Sequence, residues 1–439
     1  MRFMGIRRLT SALIASMLTA SLTACGGLGR ADAKESTGTV SEAQETVTIS
    51  DAATTTAKAD VEVASLDGMA SDGVISTADL FTSRDLEQEA DLVGATYLSL
   101  ESGKDVTISE EGVYVLVGDV TDVTVTVEAD DAAKVQLVLD GVTITNGDSP
   151  AIYVKSADKV FVTTTEGTTS ALSVTGSFVA DGDTNTDAVI FSKDDLVLNG
   201  LGTLNISSTG NGITSKDDLK VTGGTYQISC SADALEANDS IRIAGGSISV
   251  STDKDALHAE NDEDDTLGYV YICGGTLSLD AADDAIHATT YVQIDEGTLD
   301  LSGGEAIEAT YIQINGGDIT VSAWDDGLNA SYKSGSIGDP VIDIRGGNLK
   351  VTMAQGDTDA LDSNGYLVVS GGTVDISAQF AFDYDLGAEF TGGTIYVNGE
   401  QISEITESMM MGGMGGPGGG MGGMGGPGGE MGGMGGPGW

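Results

Sequence analysis

Between Ala232 and Ala309 the chain writes one five-residue phrase four times: Asp233-Ala-Leu-Glu-Ala237, Asp255-Ala-Leu-His-Ala259, Asp284-Ala-Ile-His-Ala288 and Glu305-Ala-Ile-Glu-Ala309. The acidic openers are 22, 29 and 21 residues apart. An acid, an aliphatic and a polar residue held in fixed order at that period mark stacked supersecondary units. A second ladder keeps the same step. It runs through Gly223-Gly224, Gly245-Gly246, Gly274-Gly275, Glu296-Gly297, Gly316-Gly317, Gly346-Gly347, Gly371-Gly372 and Gly392-Gly393. Glycine at a recurring corner answers a need for positive φ and close backbone approach.

Between the corners lie β-branched runs with period-two character, such as Val113–Val117, Val123–Val127 and Val135–Leu139, and helical periodicity is nearly absent. Each coil reads as a strand carrying the phrase, a second strand such as Ser240–Ile243, the glycine corner, and a third strand such as Ser247–Val250. Three short strands in about 22 residues leave no room for a helix. The expected fold is therefore all-β: a right-handed, single-stranded parallel β-helix of about a dozen rungs between Tyr97 and Ile402, its hand set by the crossover rule. A chain of 439 residues is long for one ordinary core but suits a solenoid, whose core grows with each repeat.

The pieces Leu137–Ile144, Ala151–Asp158, Ser192-Lys-Asp-Asp-Leu196, Ser215-Lys-Asp-Asp-Leu219 and the Gly-Gly-Thr corners resemble a bacterial cell-surface family described as carbohydrate-binding-domain-containing. The resemblance covers about residues 95–400. It implies a pectate-lyase-like β-helix and calcium-dependent binding of acidic plant polysaccharide.

Outside that body the chain divides simply. Residues 1–25 carry three Arg, an apolar run and Leu22-Thr23-Ala24-Cys25, which resembles a lipoprotein box with Cys25 as the lipidated residue. The expected location is thus exported and lipid-anchored on the extracellular face of a bacterial membrane. Residues 26–94 read as a flexible tether, with a weak apolar pattern from Leu80 to Val93 as a short helix capping the first coil. The β-helix takes 95–405, and 406–439 is a Met/Gly/Pro tail. Its thioethers could take Cu(I), or it is a flexible low-complexity segment. Cys230 and Cys273 fall at different phases of the repeat and read as core thiols without a disulfide.

The formal charge of −49 excludes unaided contact with nucleic acid or anionic lipid and favours cations or cation-bridged partners. The openers form one acidic ladder: Asp233, Asp255, Asp284, Glu305, Asp326 and Asp359. The fourth position of the phrase forms another, through Glu236, His258, His287, Glu308, Asn329, Asp362 and Asp383. Extra acids stand beside them at Asp253, Glu260, Asp262, Asp283, Asp325 and Asp357. Such stacks attract a hard cation, and Ca²⁺ takes about six to eight oxygen ligands. The other reading has each opener accepting hydrogen bonds from turn amides. The expected calcium ligands are Asp233, Glu236, Asp255, Asp283, Asp284, Glu305, Asp325, Asp326, Asp359 and Asp362.

Coils opening at Asp255 and Asp326 carry insertions, Asn261–Gly268 and Ser331–Pro340. Leaving the same corner, they would wall a groove about 14 Å wide. Its floor would present His287, Glu308, Tyr291 and Tyr311, with Trp324 nearby, as a carbohydrate-binding surface; surface packing of the aromatics is the other reading. The two His could serve as zinc ligands, but no compact three-ligand spacing accompanies them, and the pattern sets them at solvated ladder positions. A polyuronate lyase is the enzymatic alternative, with Arg242, Lys254, Lys333, Arg345 or Lys350 as base, none in a catalytic context. A purely structural or adhesive surface protein is a further alternative. The expectation is non-catalytic, calcium-dependent binding of acidic polysaccharide, with the membrane reached only through the lipid on Cys25.

Overall fold

The computed structural model describes residues 73–261, 263–356 and 358–408. Cys25 and the leader, the tether up to residue 72, the tail from 409, and Asp262 and Asp357 lie outside the described residues.

The apolar members of the phrase build the core. Leu235, Leu257, Ile286, Ile307, Leu328, Leu361 and Phe382 pair one on the next in a parallel sheet. Each is fully or almost fully buried, as are the alanines flanking the aliphatic residue. Burial of each Leu or Ile contributes roughly 1.5–3 kcal/mol. That sheet holds twelve strands among the described residues, from Val106–Ile108 to Phe380–Tyr384, one for each coil. A 22-stranded sheet supplies the remaining walls. It spans two faces because strands such as Ser240–Thr252 run through the glycine corner without a break. The result is the parallel β-helix, with about the expected number of coils and no helix among the described residues.

The corner glycines behave as their spacing predicts. Gly224, Gly246, Gly275, Gly297, Gly317, Gly347, Gly372 and Gly393 all have φ between 74° and 126°. At Gly372 a Cβ would stand 2.6 Å from the Gly346 carbonyl oxygen of the coil below, so both backbone angle and stacking demand glycine. All pairings between strands are parallel except the last, Thr394–Val397 with Glu400–Ile402. Asn398 and Gly399, both at positive φ, make the tight turn that folds this strand back over the solenoid's end. Cys230 and Cys273 are buried free thiols.

The segment before the first coil departs from expectation. Residues 73–94 form neither a helix nor a cap; they lie as a strap along the 22-stranded sheet. Val74 and Ile75 amides donate to Gln313 and Gln293 side chains, at 3.0 and 2.8 Å. Leu80 packs with Ala244, Tyr271 and Cys273, and its carbonyl accepts from Arg242. Gln88 bonds Thr222 and Gly200. The strap thus crosses seven successive strands, from Tyr311–Ile314 to Lys159–Thr164. Thr82 and Asp85 do exchange the reciprocal bonds of a helix start, Thr82 N to Asp85 Oδ2 at 2.9 Å and Asp85 N to Thr82 Oγ1 at 3.2 Å. No helix follows, because the carbonyls of Asp85 and Glu87 are taken by Thr222 and Asn199 of the solenoid.

Candidate functional site

The functional candidates lie on the outer edge of the twelve-stranded sheet. Register stacks Glu236 on His258, His287, Glu308, Asn329, Asp362 and Asp383 in turn. This is the fourth-position ladder, in the order expected.

The opening acids do two things at once. Asp233 Oδ1 accepts the Asp255 amide at 3.2 Å, Asp255 Oδ1 the Asp284 amide at 2.9 Å, and Asp326 Oδ1 the Asp359 amide at 2.9 Å. Asn211 serves Asp233 in the same way at 3.0 Å. One oxygen of Asp233, of Asp255 and of Asp326 therefore ties its coil to the next, which accounts for the burial of Asp233 and Asp255. The second oxygen faces the edge. Lys254 reaches Asp233 Oδ2 at 3.3 Å, and His258 Nδ1 lies 2.6 Å from Asp255 Oδ2. His287 Nδ1 lies 3.0 Å from both Asp284 Oδ2 and Glu308 Oε2. Glu236 is held by Lys216, Asn211 and Thr214, and Glu308 by Lys333 at 2.7 Å.

The histidines are not solvated ladder positions. Their side chains are only 16% and 13% exposed, and the rings stack 4.9 Å apart at 7°. Burial works against a charged His287, yet its bonds to Asp284 and Glu308 push its pKa up to about 10. Glu308 falls to about 2 despite burial, through His287 and Lys333. Asp284 rises to about 6 through burial and the neighbouring Asp255 and Glu308. Glu305 rises to about 8 through burial, Glu308 and Asp284.

The edge thus changes character along its length. From Asp233 to Glu308 the protein's own Lys and His side chains answer the ladder carboxylates except Glu305, which accepts from Asn329 instead. Further on, a cavity of about 280 Å³ is lined by Asp325, Asp326, Asp359, Asp362, Phe380, Asp383 and Ser408. That described lining contains five carboxylates and no basic side chain. Burial, then repulsion from Asp326, Asp383 and Asp359, pushes the Asp362 carboxyl up to about 7. Of the other expected calcium ligands, Asp283 is exposed at the rim of the upper stretch.

The expected groove is not present as a single floor. The two insertions meet: Ser334 Oγ donates to the Asp265 carbonyl at 2.6 Å, and the Lys333 and Ser334 amides both donate to Thr310 Oγ1. They roof the corner over buried Thr290 and Thr310 instead of walling a cleft. The chain also turns from one sheet to the other between His287 and Tyr291, so the five candidates separate. His287 and Glu308 stay on the edge. Tyr291 packs against the strap's apolar cluster, and the Tyr311 hydroxyl donates to Asp343 at 3.0 Å. Trp324, 48% exposed, stands at the opposite end of the phrase, next in sequence to Asp325 of the acidic cavity. In the sequence Lys254 and Lys333 stand out only as candidate bases, and nothing pairs Lys216 with Glu236. Lys254 and Lys333 occupy no repeated position, and Lys216, though it recurs with Lys193 in the Ser-Lys-Asp-Asp-Leu motif, stands outside the phrase, so the ladder pattern carries no signal for these contacts.

A family model described as carbohydrate-binding domain-containing protein matches residues 102–358. A curated protein of the same description from Acetivibrio thermocellus is 36% identical over 126 residues, 28% of this chain and 44% of that relative. The chain therefore spans less than half the length of that relative. A solved structure described as a polysaccharide lyase-like protein from C. thermocellum, in a gadolinium derivative, aligns over 60% of this chain and 98% of its own. It does so at 27% identity with a TM-score of 0.45.

Proposed function

The chain belongs to the carbohydrate-binding domain-containing family, and from that premise we propose that it is a lipid-anchored, non-catalytic surface protein that binds acidic, polyuronate-like polysaccharide with calcium. The observation that carries the proposal is the cavity of five carboxylates at the lower edge. An acidic polymer against that surface meets repulsion unless a cation intervenes. Asp325, Asp326, Asp359, Asp362 and Asp383 form an all-oxygen donor set on three successive coils, which fits a hard cation. When bound there, calcium would supply the positive charge that sugar carboxylates and hydroxyls share with the protein. Trp324 beside Asp325 offers an exposed indole face on which a sugar ring can stack. The leader ending in Leu22-Thr23-Ala24-Cys25 supports attachment at the membrane.

The state of the lysines supports binding over cleavage. A lyase base must give up its proton, whereas Asp233 holds the pKa of Lys254 up and Glu308 that of Lys333, against the effect of burial. Arg242 and Arg345 are likewise bound, to Asp218 and Asp343. Electrophoresis of the full chain through a polygalacturonate gel tests both points. Retardation is expected with calcium and not with chelator, and it is lost in the double variant Asp359→Asn, Asp362→Asn. Retardation that survives complete calcium removal refutes cation bridging. Ultraviolet absorbance from an unsaturated uronate product refutes the non-catalytic assignment.

A further inference from the structure

The upper stretch of the edge holds a different donor set. His287 Nδ1 faces two carboxylate oxygens, Asp284 Oδ2 and Glu308 Oε2, each at 3.0 Å. A ring nitrogen carries at most one hydrogen, and that hydrogen aligns well with one acceptor. Two carboxylate oxygens converge on one nitrogen, in the direction in which the neutral ring would offer its lone pair to a metal ion.

We propose that His287 Nδ1, Asp284 Oδ2 and Glu308 Oε2 form a binding site for a divalent first-row transition metal, with Zn²⁺ as the reference ion. Zinc bonds of about 2.0–2.2 Å to nitrogen and oxygen set tetrahedral ligand atoms roughly 3.3–3.5 Å apart. Each of the two observed histidine-to-carboxylate separations, 3.0 Å, reaches this by a movement of a few tenths of an ångström.

The three side chains are already oriented by their neighbours. The Asp284 amide is fixed by Asp255 Oδ1. Glu308 keeps Oε1 on Lys333 at 2.7 Å and Ser331 at 3.2 Å, which aims Oε2 at the histidine. His258, stacked on His287, holds the ring plane. Asp284 and Glu308 are each 7% exposed, so the site is sheltered from solvent. Asp255 and Glu305 both place a carboxylate oxygen close enough to supply a fourth ligand, each grouping with members of the set inside 4.8 Å.

The imidazole nitrogen separates this site from the all-oxygen cavity, since mixed nitrogen and carboxylate donors favour zinc and its neighbours over calcium. It stands whether or not the chain binds polysaccharide. Sequence spacing hides it because the ligands come from adjacent coils.

The chain contains two histidines in all, which makes the test direct. Full chain labelled with ¹⁵N in histidine is titrated with zinc chloride while long-range ¹H–¹⁵N spectra follow the four imidazole nitrogens. The expected result is saturation near one equivalent, with the largest displacement at His287 Nδ1, and no displacement by a roughly 100-fold excess of calcium. His287→Asn is expected to weaken zinc uptake by at least about 100-fold while calcium-dependent retention on polygalacturonate persists. If that variant does not fold, the wild-type spectra alone decide. Unmoved histidine signals at millimolar zinc, or equal displacement by calcium, overturn the proposal.

Discussion

Replacing Asp85 by Asn removes one charge from the deepest ionic contact between strap and solenoid. Asp85 is fully buried, 3.3 Å from Lys159 Nζ and 3.7 Å from Lys220 Nζ, and both lysines are themselves buried. Breaking such a pair costs about 3–5 kcal/mol, because the remaining charges keep their desolvation without the attraction that offset it. The chain can escape this by lifting the strap and returning the lysines to water. Opposing that escape are mainly Ile75 and Leu80, whose burial contributes roughly 1.5–3 kcal/mol each. The two quantities are of similar size, so local release wins over unfolding of the coils. A loss of about 3 kcal/mol of docking raises the open population roughly 100-fold. Native-state hydrogen exchange should therefore show residues 73–94 exchanging about two decades faster in Asp85→Asn, with the coil amides unchanged. Trypsin should also gain access to Arg84, which otherwise rests on the Phe161 ring. Burial raises the Asp85 pKa, but the Thr82 amide, Lys159 and Lys220 outweigh it and hold the carboxyl below its ordinary value. Its contribution is then present above the unfolded-state pKa and lost as pH falls through the folded one, so the wild-type strap loosens only in stronger acid. Strap exchange that changes less than about tenfold would refute this reasoning.

Further expectations follow from other parts of the fold. Burial, then a hydrogen bond and repulsion from Asp239, push the Asp217 carboxyl up to about 6. The folded state binds the extra proton across that window, so Asp217→Asn should match wild type near pH 3 and exceed it by about 1 kcal/mol near pH 7.5 in urea melts. Leu257→Asp puts a carboxylate between Leu235 and Ile286 in the core, and loss of soluble, cooperatively melting protein is expected. Gly372→Ala, where the added Cβ meets backbone at 2.6 Å, should cost clearly more than Gly103→Ala. At Gly103 only the positive φ is strained, at about 1–2 kcal/mol, and calorimetry separates the two.

The repeat was legible because it aligns itself. Once the phrase is written in register, Leu235, Leu257 and Ile286 must stack inward, and Glu236, His258 and His287 must stack at the edge. Both ladders stand in that order. The corner glycines carried their conformation in their identity. The strap was not legible, since its anchors at Gln313, Lys159 and Thr222 lie 74–239 residues away and share no period. The closed roof was hidden for a related reason: Ser334 meets Asp265 across 69 residues, between two insertions that each break the repeat. Within the site, the acids were visible as ladders, while the Lys254 and Lys333 contacts to Asp233 and Glu308 depend on side-chain reach.

Binding of the full chain to an array of acidic and neutral glycans, run with calcium and repeated with chelator, bears on the central claim most directly. Signal on polyuronates is expected to require calcium and to disappear in the double variant Asp359→Asn, Asp362→Asn. Absence of polyuronate binding, or binding of equal strength in chelator, would contradict it.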